Sequence, residues 1–161
     1  MRALWLIALS SAVAAQAFAG IPRITRLAPA DRAALEHPAS IKLIHAVSAI
    51  PASVRSACAR VISEHKFWLA DPGKPYNESD AGWDDRIPGR RLLWAAQLPD
   101  HFVVHYESGG IAHGFHIIVV GSPISRPHVV WRAAADEYRD CPTFVRALKR
   151  NQLFDYYDYV F

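Results

Sequence analysis

Apolar residues in the second half of the chain fall into four stretches separated by turn-forming residues. The stretches span residues 91–98, 102–108, 111–120 and 128–133. Short apolar stretches with Gly, Pro, Asp and Ser between them are typical of strands joined by turns. The pattern therefore predicts an antiparallel meander of about four strands.

Two other segments have the periodicity of helices. Apolar side chains recur at Val54, Cys58, Val61 and Ile62, a spacing that places them on one face of a helix. Residues 142–150 predict a second, shorter helix, because the segment begins with proline, which suits the first turn of a helix. The chain is thus predicted to be an α+β protein, in which one longer and one shorter helix pack on a face of a mainly antiparallel sheet.

The second and third predicted strands form a β-hairpin, which with the preceding His101 carries four of the eight histidines. A two-residue turn at Gly109-Gly110 suits the positive φ angles of a tight hairpin. Because successive side chains of a strand point to opposite faces, this turn fixes which residues lie together. It assigns His113 to an apolar face and places His105, Glu107 and His116 together on the other face.

Two imidazoles and one carboxylate on a single face suit a zinc-like divalent metal ion with an open coordination position. Such an ion could activate water, so a metal-dependent hydrolase using His105, Glu107 and His116 is one functional hypothesis. The spacing of these residues matches no established metal-binding motif, and Glu107 could equally form a hydrogen-bonded pair with His105. No other cofactor is expected, because the chain contains neither a P-loop nor a dinucleotide-binding fingerprint.

A long irregular segment, residues 71–89, separates the first predicted helix from the strands. Structureless loops of this length within a domain are often binding loops. Tyr76 and Trp83 are aromatic residues in this otherwise polar segment, and they either pin the loop to the domain or form a recognition surface. Arg86 and Arg90 belong to a local basic cluster that is either solvated or able to bind an anion.

The N-terminus has the pattern of a cleavable secretory signal over residues 1–19: a positive start, an apolar stretch and a small-x-small site. We therefore expect an exported protein, periplasmic or secreted, with a single domain over residues 20–161. It should begin with an extended arm at residues 20–40 that includes a short helical turn around Asp31 to Glu36. The net charge of +3 falls to +2 without Arg2. This charge is too small to predict nucleic-acid binding, and no segment after the signal predicts a transmembrane helix.

Cys58 and Cys141 are the two cysteines, and in an exported protein a pair most simply forms a disulfide. A catalytic thiol is the alternative. Together these features favour a small exported, non-enzymatic binding or accessory protein, of the inhibitor, immunity or interaction-module kind. Its partner would be a macromolecule or a small ligand, bound through the sheet face or the 71–89 loop. The metal-dependent hydrolase is the competing hypothesis.

Overall fold

The computed structural model describes residues 26–122 and 126–155. Within these ranges an antiparallel sheet of six strands is accompanied by three α-helices, and every strand pairs with its neighbour in sequence. The strands are β1 (Lys42–Ile44), β2 (Arg90–Gln97), β3 (His101–Ser108), β4 (Gly114–Gly121), β5 (His128–Ala135) and β6 (Phe154–Asp155). The helices are α1 (Pro29–Glu36), α2 (Ala52–Val61) and α3 (Cys141–Lys149).

Both faces of the sheet are covered by helices. On one side, here called the first face, α1 and α3 pack over a core that contains Trp94, Val103 and Ile117. On the opposite side, the second face, α2 packs over a core that contains Val104 and Ile118. Consecutive residues of β3 and β4 therefore enter opposite cores, which explains why these strands are continuously apolar.

The prediction of an α+β protein with an antiparallel meander is confirmed, but the element count and the helix placement differ. The four predicted strands correspond to β2 to β5, and the sheet is extended at its edges by β1 and β6. These edge strands span three and two residues, which is too short for a period-two pattern to be recognised. The helices also lie on both faces rather than on one. The predicted longer and shorter helices are nearly equal, at 10 residues for α2 and 9 for α3, and the helical turn expected in the arm is a full helix, α1, of 8 residues.

The predicted register of the β3–β4 hairpin is wrong. The strands pair Ser108 with Gly114 and Tyr106 with His116, so the connection is a five-residue loop, 109–113, instead of a two-residue turn. The register thereby shifts by an odd number of residues, and an odd shift moves every side chain of the partner strand to the other face. The cause is a contact distant in sequence: a Cβ at Gly109 would collide with the backbone carbonyl oxygen of Asn77, so this glycine permits a close approach of the 71–89 loop.

The predicted disulfide between Cys58 and Cys141 is not formed. Both cysteines are free and fully buried, and they belong to the two different cores, with the sheet between them. A disulfide requires Cα atoms within about 7 Å of each other. Cys58 in α2 and Cys141 in α3 lie in helices that pack on opposite faces of the sheet, and the thickness of the sheet keeps them farther apart than that. Burial raises the pKa of each thiol to about 12, which keeps both protonated and unreactive at neutral pH.

The predicted signal segment, residues 1–19, lies outside the described residues. Over residues 26–122 and 126–155, no helix has both the length and the apolar composition that a membrane span requires.

Candidate binding site

The 71–89 loop is anchored to the sheet by Tyr76. This side chain is buried, its hydroxyl donates a 2.9 Å hydrogen bond to Glu107 Oε2, and the guanidinium of Arg91 lies 4.5 Å from its ring centroid. The second oxygen of Glu107 accepts a 2.6 Å hydrogen bond from Arg91 Nε. His113 Nε2 lies 3.2 Å from Glu107 Oε2. We call this group the carboxylate clamp; its members are Tyr76, Arg91, Glu107 and His113.

The clamp holds Glu107 in its charged form. Burial alone raises the pKa of this carboxyl group, but hydrogen bonds from Arg91, Tyr76 and His113 oppose burial and bring the pKa below its usual value. Burial, together with the neighbouring carboxylate, raises the pKa of the Tyr76 hydroxyl. Glu107 therefore stays an anion that accepts hydrogen bonds, and Tyr76 stays a donor. This arrangement fixes the loop through Tyr76, which is one of the two roles that the sequence left open for this residue.

Asn77 closes the rest of the loop on itself. Its side-chain amide donates hydrogen bonds of 2.9 and 3.0 Å to the carbonyl oxygens of Asp84 and Ile87, and its carbonyl oxygen accepts the backbone N–H of Asp84 at 2.9 Å. The backbone N–H of Asn77 donates to the carbonyl of Pro88. A buried asparagine with these bonds satisfies the polar backbone of the loop internally, so residues 77–88 form a compact unit.

Trp83 stands at the surface of this unit. The residue is 50 % exposed, yet two contacts hold its side chain in position. The indole packs against Gly89, where an added Cβ would lie 2.7 Å from the ring. The indole Nε1 donates a 3.0 Å hydrogen bond to Asp85. Beside it lies a recess of about 290 Å³ that also exposes Trp68. We call this recess the tryptophan groove; its lining residues are Glu64, Trp68, Trp83, Asp85, Ile87, Gly89, Arg90, Ser108 and Gly109.

The two candidate arginines have different surroundings. Arg86 forms a 2.8 Å ion pair with Asp84 and also bonds it through Nε, so its charge is neutralised within the loop, and the pair is solvent-exposed. Arg90 lies inside the tryptophan groove and pairs with Glu64 at 2.6 Å. The structure thus groups Trp83 with Arg90, whereas Tyr76 belongs to the carboxylate clamp on the first face.

The three residues predicted to form a metal site do not come together. His105 and Glu107 point to the first face, whereas His116 points to the second, where its ring stacks on Tyr106 with centroids 5.0 Å apart. In the part of the chain that the structure describes, no three His, Cys, Asp or Glu side chains are arranged to hold a metal ion. The grouping depended on the two-residue turn and fails with it.

His105 has a structural role in the first core. It accepts a 3.1 Å hydrogen bond at Nε2 from the backbone N–H of Tyr138, so Nδ1 carries the proton and donates to the carbonyl oxygen of His116 at 3.0 Å. Burial lowers the pKa of His105 to about 4, which keeps the ring neutral at physiological pH. His113, which the hairpin prediction placed on an apolar face, is instead partly exposed and contacts Glu107.

One polar pair that was not predicted joins a groove residue, Ser108, to His116 on the second face. Ser108 Oγ and His116 Nε2 share a 2.8 Å hydrogen bond, and burial lowers the pKa of His116 to about 4. A serine beside a neutral histidine has the geometry of a nucleophile and its base. The adjacent N–H groups, however, are engaged: Gly109 donates to Gly89 and Gly110 to Glu78. They are therefore not directed at a bound carbonyl, as an oxyanion site requires.

Trp68 and Glu64 were also missed as site residues. The sequence suggests only that residues 67–69 extend the apolar contact of the preceding helix. In the structure, Phe67 and Leu69 are buried and Trp68 between them is 37 % exposed. This alternation is the period of an extended segment. Three consecutive apolar residues give no sequence signal that would have identified Trp68 as the outward one.

Comparison with known proteins found no matching family model, no similar curated protein and no similar solved structure.

Proposed function

We propose that this chain is an exported, non-enzymatic binding protein whose ligand occupies the tryptophan groove. The observation that carries the proposal is the state of Trp83, which is half exposed although its ring and its Nε1 are both held in place. An exposed aromatic side chain that is already immobilised loses little conformational entropy on binding, so its contact area contributes fully to affinity.

The surroundings of Trp83 support this role. Trp68 exposes a second indole in the same recess, and tryptophan is among the residues that contribute most to binding free energy at interfaces. Polar groups also line the recess, namely the Glu64–Arg90 ion pair and Ser108. Apolar surfaces combined with a few fixed polar groups are typical of ligand sites.

The test compares the wild-type protein and two variants as immobilised baits in affinity purification. Wild-type protein, Trp83→Ala and Ile111→Ala are immobilised and exposed to an extract of the exported compartment of the producing cell, and retained molecules are identified by mass spectrometry. Ile111 is the matched control, because it is an apolar residue that is 95 % exposed and lies in the hairpin loop outside the groove. We expect a ligand that the wild type and Ile111→Ala retain and Trp83→Ala loses.

Circular dichroism of each variant establishes that the folds are equivalent. Retention of the same molecules by folded Trp83→Ala and wild-type protein would overturn the proposal.

A further inference from the structure

Trp68 separates the tryptophan groove from a second, larger recess. This recess has a volume of about 490 Å³, and Trp68 lines both. Its charged lining residues, Arg55 and Lys66, are both basic, and no acidic residue is among the described residues that line it. We call it the basic recess. Two adjoining recesses that share one indole suit an extended ligand that occupies both.

The positive charge of the basic recess is not cancelled by the contacts of its side chains. Arg55 donates hydrogen bonds to the carbonyl oxygens of Val47 and Ile50, which orient the guanidinium without neutralising it. Lys66 Nζ lies 5.3 Å from the ring centroid of Trp68, at the boundary between the two recesses. The basic recess therefore offers cationic groups to an anionic part of a ligand.

The tryptophan groove has a different character. Its indoles offer flat apolar faces, and Glu64, Asp85 and Ser108 offer hydrogen-bond acceptors. The face of an indole carries partial negative charge, which complements the weakly positive C–H bonds on one side of a sugar ring. The hydroxyl groups at the edge of such a ring can donate to carboxylates. A sugar ring presents this pairing of an apolar face with a polar rim.

We propose that the ligand is an acidic oligosaccharide, with a sugar unit stacked in the tryptophan groove and the carboxylate of a neighbouring unit in the basic recess. This inference rests on the proposed binding function and specifies the class of its ligand. It follows from the charge complementarity of the basic recess and from the adjacent indoles.

A peptide fits the surface less well. An extended peptide usually binds by pairing with a free strand edge. Next to the groove that edge is occupied, because Ala70 accepts the N–H of Leu92 and donates to the carbonyl of Arg90.

The experiment is isothermal titration calorimetry of the full mature protein with defined sugars. The acidic probes are hexamers of galacturonate, glucuronate and mannuronate, and the neutral probe is a glucose hexamer. We expect at least one uronate hexamer to bind at least tenfold more tightly than the neutral hexamer, with affinity that falls as salt rises.

Single variants test the basic recess and the tryptophan groove separately. Lys66→Gln should reduce uronate affinity about tenfold, whereas Trp83→Ala should abolish measurable uronate binding; Ile111→Ala, outside both recesses, should match the wild type. Equal affinity for neutral and uronate hexamers would overturn the proposal, as would uronate binding that is unchanged in Trp83→Ala.

The failure of this inference is distinguishable from failure of the proposed function. If the affinity bait retains a ligand through Trp83 and no uronate hexamer binds, the saccharide assignment is wrong and the binding role stands. If neither the bait nor the calorimeter detects a Trp83-dependent ligand, both are wrong.

Discussion

His105 makes the folding stability of this protein depend on mild acidity. The ring is fully buried in the first core, 5.2 Å from the ring of Trp94, and both of its nitrogens are engaged by backbone groups. A second proton would have to be placed on Nε2, where the backbone N–H of Tyr138 already points. Protonation therefore requires the loss of this hydrogen bond in addition to burial of a charge.

The sign of the effect follows from the two pKa values. The folded pKa of His105 is lowered to about 4 from its ordinary value of 6.5, so between these pH values the unfolded chain binds a proton that the folded chain does not. The neutral ring favours folding fully above pH 6.5, and this contribution is lost as pH falls towards 4. One pKa unit corresponds to about 1.4 kcal/mol, so the loss is on the order of 3 kcal/mol.

The measurement is urea denaturation of wild type, His105→Gln and His45→Gln at pH 7.5, 5.5 and 4.5. Glutamine does not titrate, so His105→Gln should be less stable at pH 7.5 by about 2 kcal/mol and should lose less stability on acidification. His45 is exposed, and its replacement serves as the control. Burial also lowers the pKa of His116 to about 4, so some acid sensitivity should persist in His105→Gln.

Equal losses of the free energy of unfolding in wild type and His105→Gln between pH 7.5 and 4.5 would refute this role of His105. That result would mean that His105 takes up its proton equally in the folded and unfolded chains.

Three further predictions concern the loop and the thiols. Glu107→Gln removes the charge of the carboxylate clamp and should lower the free energy of unfolding by about 2 kcal/mol in urea denaturation; an unchanged value would contradict the clamp. Gly109→Ala should make the 71–89 loop more susceptible to limited proteolysis, because its Cβ would collide with Asn77, whereas Gly114→Ala, whose Cβ would have ordinary contacts, should be cut like the wild type. Iodoacetamide without reductant should alkylate both thiols of the unfolded protein and neither thiol of the folded protein, because both are free and buried. Intact-mass measurement counts the added carbamidomethyl groups, and no addition after unfolding would instead establish a disulfide.

The central meander could be predicted from the sequence because its strands are long and bounded by turn residues. Four stretches of apolar residues correspond to β2 to β5, and the periodicity after residue 50 corresponds to α2. The edge strands β1 and β6 could not be predicted, since segments of two or three residues gain their strand conformation from the neighbour they pair with. Local pattern does not contain that information.

The hairpin register could not be predicted because it depends on a contact distant in sequence. Two adjacent glycines favour a tight turn when only local preferences are considered. Here Gly109 is required where the backbone of Asn77 approaches, and the turn is displaced into a longer loop. That displacement separates His116 from His105 and brings it to Ser108, so a single tertiary contact alters the entire candidate site.

The 71–89 loop connects the carboxylate clamp to the tryptophan groove, because it contains both Tyr76 and Trp83. Tyr76 is held on the first face by Glu107. Trp83, further along the same loop, lines the groove together with Arg90 and Ser108. Arg90 and Ser108 pair with each other in β2 and β3, on the side of the sheet that faces the second core. Ordering a loop residue costs about 1 kcal/mol or more. If the loop were mobile, a ligand would have to supply that free energy for each residue it ordered. Because the clamp and Asn77 order the loop during folding, the binding site that we propose would have the indole of Trp83 in position before a ligand binds. Glu107, which the sequence suggests as a metal ligand, thus acts at a distance from the groove by keeping its aromatic wall in place.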